Sequence, residues 1–135
     1  MKYILLIITI ALFISCSQED NFSEKRNNII GVWEVDAFAQ GFKNDKLEYA
    51  IHVPYGLTFN SDGTGFEDTN EDHDFNWKYH LKPEKIFYEF VDVGGDNFEY
   101  DIIVNEPAKQ IWVRKFHVSN DGKDYSIHTF TMTKN

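Results

Sequence analysis

From Ile29 onward the chain alternates large apolar and polar side chains at period two, and that alternation decides which folds are open to it. Phe75, Trp77, Tyr79 and Leu81 fall on one side of an extended segment, while Asn76, Lys78 and His80 fall on the other. Successive side chains of a strand point to opposite faces, so the pattern describes a sheet with one dry face and one wet face. The same holds for Ile86, Tyr88 and Phe90, and for Phe98, Tyr100, Ile102 and Val104 against Glu99 and Asp101. Leu57 and Phe59 lead into a turn, and Trp112, Phe116 and Val118 share their side with Arg114. The last segment admits two assignments, of which we take His128, Phe130 and Met132 as inward against Tyr125 and Ile127. No window of ten or more residues carries the period of a helix.

Strands are expected at 31–38, 47–53, 56–60, 64–69, 74–81, 85–91, 97–104, 109–117 and 123–133. The segments between them are turn-formers: Asn60-Ser61-Asp62-Gly63, Gly94-Gly95-Asp96-Asn97 and Ser119-Asn120-Asp121-Gly122 supply positive-φ residues, and Pro83 and Pro107 mark two more turns. Connections this short join only antiparallel neighbours, which makes the topology a meander. A meander of this length with one polar face avoids exposed edges most simply by curling up. The expected fold is all-β: a single antiparallel meander closing into an eight- to nine-stranded barrel.

The N-terminal segment has a separate logic. Lys2 precedes a short apolar run, Ile4 to Ile14, that ends at Ser15-Cys16 and gives way to polar residues. A basic head, a brief apolar stretch and a small residue at the cut point are marks of an export signal, too short for a transmembrane helix. The segment resembles a bacterial lipoprotein signal, which implies cleavage before Cys16 and acylation of that cysteine. It divides the chain into a signal peptide (1–15), a lipidated tether (16–28) and a domain (29–135). Residues 17–28 read equally as a free tether or as a short capping helix around Ser23 to Asn28. Ser17 stands where an inner-membrane retention aspartate is common, and Gln18-Glu19-Asp20 looks like the acidic surface-export signal of Bacteroidota lipoproteins. The address implied is the outer membrane, lipid-anchored, at the cell surface.

Cys16 is the only cysteine of the 135 residues, so no disulfide is available and the fold rests on its apolar core. The formal net charge of -9 repels phosphate backbones and anionic lipid surfaces. No nucleic-acid partner is expected, and the membrane link falls to the lipid.

Gly31-Val32-Trp33 opens the first strand; Leu57-Thr58-Phe59-Asn60-Ser61-Asp62-Gly63-Thr64-Gly65, Phe75-Asn76-Trp77-Lys78-Tyr79 and a closing Thr129-Phe130-Thr131-Met132-Thr133-Lys134 follow. Together these resemble the lipocalin-like domains of Bacteroidota lipoproteins. The resemblance implies a lipocalin-like barrel in which Trp33 plugs the closed end.

A barrel of eight strands has an interior either just filled by side chains or able to hold one small molecule. With 12 Phe, 7 Tyr and 3 Trp in the chain, aromatic rings suffice for either outcome. If a cavity exists, Trp77, Tyr79, Tyr88, Tyr100 and Trp112 are expected to line it, with Arg114 and His128 as polar groups on apolar faces. Arg114 either meets a ligand carboxylate or stacks on a ring, or it snorkels to the rim. The run Glu67-Asp68-Thr69-Asn70-Glu71-Asp72-His73-Asp74 lacks the glycine and terminal glutamate of a calcium loop and reads as a solvated acidic connection. No histidine pair has zinc spacing, no serine sits in a nucleophile elbow, and no glycine-rich loop cradles phosphate. No metal, cofactor or enzymatic activity is expected. Two functions remain: a barrel that binds a small apolar or amphipathic ligand, and a filled barrel whose rim docks a surface protein or glycan.

Overall fold

The computed structural model describes residues 21–91 and 97–135; Cys16, the leader before it, the first residues of the tether and the Gly94-Gly95 turn lie outside the described residues. Eight strands follow one another: β1 (Gly31–Lys43), β2 (Lys46–Phe59), β3 (Thr64–Asp68), β4 (His73–Leu81), β5 (Glu84–Phe90), β6 (Asn97–Glu106), β7 (Lys109–Phe116) and β8 (Tyr125–Lys134). Each pairs antiparallel with its sequence neighbours and β8 returns to β1, so the meander closes as an eight-stranded barrel. A short helix, α1, runs over residues 21–29.

The segments expected at 47–53 and 56–60 are one strand, β2, which passes straight through Pro54. The N–H of Asn60 donates to the Thr64 carbonyl at 2.9 Å, which turns the even-numbered residues of β2 from Pro54 onward toward β3. The donor that Pro54 lacks therefore belongs to the β3 side, where β3 has already ended opposite Gly56. No bond to β1 is lost, and the proline is tolerated. β1 and β2 also run further than expected, joined through Asn44 and Asp45 at φ 50 and 60, the backbone of a primed two-residue hairpin turn. Past the end of β3, β2 continues as an edge strand beside β1, which β8 pairs as far as Phe42.

Two further departures come from local backbone geometry. β7 stops at Phe116 because His117 takes a positive φ of 52, and Val118 leaves the apolar face for solvent. A bulge between Ile102 and Val104 shifts the register of β6 on β7, so Asn105 rather than Val104 turns fully inward. A bulge re-aims every side chain beyond it.

Asn105 organises one end of the barrel. Its Nδ2 donates to Glu84 Oε1 at 2.6 Å and to the Lys25 carbonyl at 3.1 Å. Gln110 Nε2 donates to Asn105 Oδ1 at 3.0 Å, and Trp112 Nε1 donates to Gln110 Oε1 at 3.2 Å. The Tyr79 hydroxyl completes the chain on Glu84 at 3.2 Å. Buried polar groups are tolerable only when partnered, and here partners come from β4, β5, β6, β7 and α1.

Helix α1 lies across this end as a lid. Lys25 Nζ and Asn28 Nδ2 donate to the Asn105 carbonyl at 3.1 and 3.3 Å, while Arg26 donates to the Ser61 carbonyl at 2.8 Å and stands 4.7 Å above the Trp77 ring. Ile29 is wholly buried, and its carbonyl accepts the indole N–H of Trp33 at 2.7 Å. Trp33 lies at this closed end, 1% exposed. Truncating it to alanine removes a large ring from a packed site, and Trp33→Ala is expected to cost about 3–5 kcal/mol in chemical denaturation. Val32→Ala next door, on the outer face, is expected to stay within about 0.5 kcal/mol; equal losses at the two positions would contradict this packing.

Candidate functional site

From the closed end upward the interior is solid. Phe59 meets Phe75, Trp77 and Trp112 edge-on at ring separations of 5.2, 5.5 and 5.4 Å, the geometry aromatic quadrupoles favour. Leu57, Ile86 and Met132 fill the gaps, all fully buried. The filling stops at a floor of three rings: Tyr88 and Tyr100 stack at 5.8 Å with planes 2° apart, and Tyr100 lies 4.7 Å from Phe130.

Above that floor is a cavity of about 370 Å³ that opens at the mouth of the barrel. Two alanines create the room. Inward positions of β1 that hold Trp33 and Val35 lower down hold Ala37 and Ala39 here, facing Val53 and Ile51 of β2. Phe90 and Phe98 form the opposite wall. The volume lies within the range of sites for small molecules, and mostly apolar walls with a few polar groups are their usual lining. A larger depression, about 760 Å³, spreads over Asn76, Lys78, His80, Phe87 and Glu89 on the outer face of β4 and β5 and reaches round to Arg114. Its walls are chiefly outward-facing polar side chains, so the more apolar mouth cavity is the better site for an apolar group.

The polar groups of the mouth come from separate strands. Tyr55 (β2), Glu67 (β3), Tyr88 (β5), Tyr100 (β6) and His128 (β8) line the cavity. Arg114 (β7) sits beside it, its guanidinium 5.0 Å from the Phe98 ring, 5.0 Å from Phe116 and 5.9 Å from Tyr100. These ring faces suit a weakly hydrated guanidinium.

Burial sets the protonation of these groups. It pushes the Tyr55 and Tyr88 hydroxyls far up, leaving both neutral donors. It raises Tyr100 as well, against the opposing pull of the Tyr88 hydroxyl and the Arg114 cation. Burial first, then the Arg114 cation and the nearby His117, hold His128 below its ordinary 6.5, so it is neutral at physiological pH. Burial lifts Glu67 above its ordinary 4.5, with His73, its partner in register across β3 and β4, working the other way. The mouth thus presents hydroxyl donors, a permanent cation at its lip and a carboxyl reluctant to ionise.

The residues expected to line a ligand site divide by height. Tyr88, Tyr100 and His128 line the cavity, and Arg114 stands at its edge. Trp77 and Tyr79 are buried near α1, Trp77 beneath Arg26 and Tyr79 5.4 Å from Phe22. Trp112, fully buried, belongs to the solid part. The sequence reading of Glu67 as part of a solvated loop is corrected: β3 runs through it and turns it inward, while Asp68, Glu71, Asp72 and Asp74 remain exposed. Glu67, Tyr55, Ala37 and Ala39 were missed, although Gly65 and Glu67 follow the period of Leu57 and Phe59 across the turn.

This architecture, all antiparallel with eight strands closed on themselves, is compatible with a lipocalin-like, calycin fold. The chain matches no family model, no curated protein and no solved structure.

The raised Glu67 carboxyl makes stability depend on pH with a definite sign. Because the folded state holds this proton more tightly, the contribution is complete below 4.5 and is lost as pH rises through the folded value. Glu67→Gln should match the wild type in acid and exceed it in thermal midpoint at neutral pH. A difference that stays constant across a pH series of melting curves would contradict the buried, inward placement.

Proposed function

We propose that this protein is an outer-membrane lipoprotein of the Bacteroidota lipocalin-like kind that holds a small amphipathic molecule in the mouth of its barrel. The observation that carries the reading is the cavity of about 370 Å³ with an aromatic floor, apolar walls and a few polar groups at its rim. An apolar body would rest against Ala37, Ala39, Ile51 and Phe130, and a polar head would reach the Tyr55, Tyr88 and Tyr100 hydroxyls or Arg114. Membrane attachment through acylated Cys16 and a cell-surface address rest on the N-terminal sequence.

Anchor and mouth then lie at opposite ends. Helix α1 covers the closed end, and only residues 17–20 separate it from Cys16; five residue steps reach about 17 Å at full extension. The closed end faces the bilayer in this arrangement and the mouth faces away from it, so the ligand is taken from the medium. The second reading, a module that docks a surface protein or glycan, draws on the filled lower interior and on the apolar side chains exposed at the rim.

Titration of the protein with a fatty acid, a fatty alcohol and an alkylamine of equal chain length, followed by native mass spectrometry and tryptophan fluorescence, tests the ligand reading. At least one amphiphile should bind at a single site. Ala39→Trp, which puts an indole into the cavity without touching the solid core, should weaken binding by about tenfold or more and leave the unfolding curve nearly unchanged. Binding unaffected by Ala39→Trp, or no binding of any probe, would overturn the proposal.

A further inference from the structure

We propose that the mouth cavity selects an organic cation, an alkylammonium or quaternary ammonium head whose partners are the Glu67 carboxylate and the aromatic faces around it. The inference rests on the reading of this cavity as a ligand site and adds the charge of the head. Among the described residues Glu67 is the one charged side chain that lines the cavity, since His128 is neutral there. Arg114, the group that would favour an anion, stands outside that lining, with its guanidinium already against Phe98 and Phe116.

The strands put Glu67 in this place. It pairs in register with Leu57 of β2 on one side and His73 of β4 on the other. Residues directly opposite one another share a face of the sheet, and Leu57 is wholly buried, so the carboxylate enters the barrel beside it. Its charge reaches the Tyr55, Tyr88 and Tyr100 hydroxyls and helps each of them keep its proton. Among the described residues only His73 offsets its burial, and no lysine or arginine pairs with it. A half-buried carboxylate costs stability unless a positive charge meets it. A ligand cation supplies that charge from the cavity side.

The rings favour the same sign. Tyr55, Tyr88, Phe90, Phe98, Tyr100 and Phe130 all line the cavity. Tyr88 stacks on Phe98 at 5.2 Å, and Phe90 meets Phe98 edge-on at 5.4 Å. The face of an aromatic ring carries the negative part of its quadrupole, so a desolvated cation gains there and an anion loses. Ala37, Ala39 and Ile51 leave apolar wall for the alkyl chain. Outside the cavity, Asp68, Glu71, Asp72 and Asp74 are exposed on β3, on β4 and in the turn between them. On a protein of net charge -9 their field draws cations toward the mouth and repels carboxylates.

Isothermal titration calorimetry of the full chain with hexyltrimethylammonium, hexanoate and hexanol separates the charge of the head from the contribution of the chain. The cation should bind about tenfold tighter than hexanol, and hexanoate more weakly than either. Glu67→Gln, which keeps the size of the side chain, should reduce the preference for the cation over hexanol by about tenfold, with circular dichroism showing the fold intact. A cation that binds no tighter than hexanol or hexanoate, or a preference untouched by Glu67→Gln, would overturn this inference and leave the cavity as a ligand site. Binding of none of the three probes would overturn both.

Discussion

The amide of Asn105 is the contact on which the rest of the structure depends. It is buried where β6 meets β7, and it binds Glu84, Gln110 and the backbone of Lys25 at once. An eight-stranded sheet rolled on itself has two open ends, and water entering either would reach the indole and phenol groups of the core. At one end this network supplies a partner to each polar group and fixes α1 across the opening. Removing one member would strand the others without water, at about 1–3 kcal/mol for each group left unsatisfied. The bulge at Ile102 and Val104 is therefore a structural device: without it Asn105 would point to solvent and α1 would lose its attachment.

Closure at one end sets the gradient of packing toward the other. Rings accumulate against the lid, where Trp33, Phe59, Phe75 and Trp112 are all but completely buried. The interior strand positions then change from large to small along β1, from Trp33 and Val35 to Ala37 and Ala39. Packing density falls with side-chain volume, and the space left is at the mouth. The charged groups follow the same gradient: Lys25, Arg26 and Glu84 near the lid hydrogen-bond to neutral polar groups, whereas Arg114 at the mouth lies against aromatic faces. The two ends of one barrel thus differ, packed solid at the lid and open at the mouth.

Much of this is written in the sequence, and the parts that are not share a cause. Alternation marks β4 and β5 clearly because each has a dry side and a wet side along its length, and it marks β6 as far as the bulge after Ile102. Residues 46–54 of β2 lack that contrast, since both faces of that stretch meet solvent, and residues 39–43 of β1 carry no period to read. Pro54 looks like a break because periodicity cannot tell an open edge from a paired one. Trp77, Tyr79 and Trp112 are rightly placed on the inward face, yet the pattern gives no height along the barrel axis. Height follows from strand stagger, which is a property of register across the whole sheet. Arg114 stood out in the sequence for the same reason it stands out in the fold, a cation on an aromatic face.

The account reduces to a barrel sealed at the α1 end and open above the Tyr88–Tyr100 floor. The most direct test is an amide NMR titration with an amphiphile that binds. The account predicts shifts concentrated in residues 37–39, 51–55, 88–90, 98–100 and 128–130. Shifts centred on residues 21–33 and 105–112 instead would place the ligand at the sealed end and contradict it.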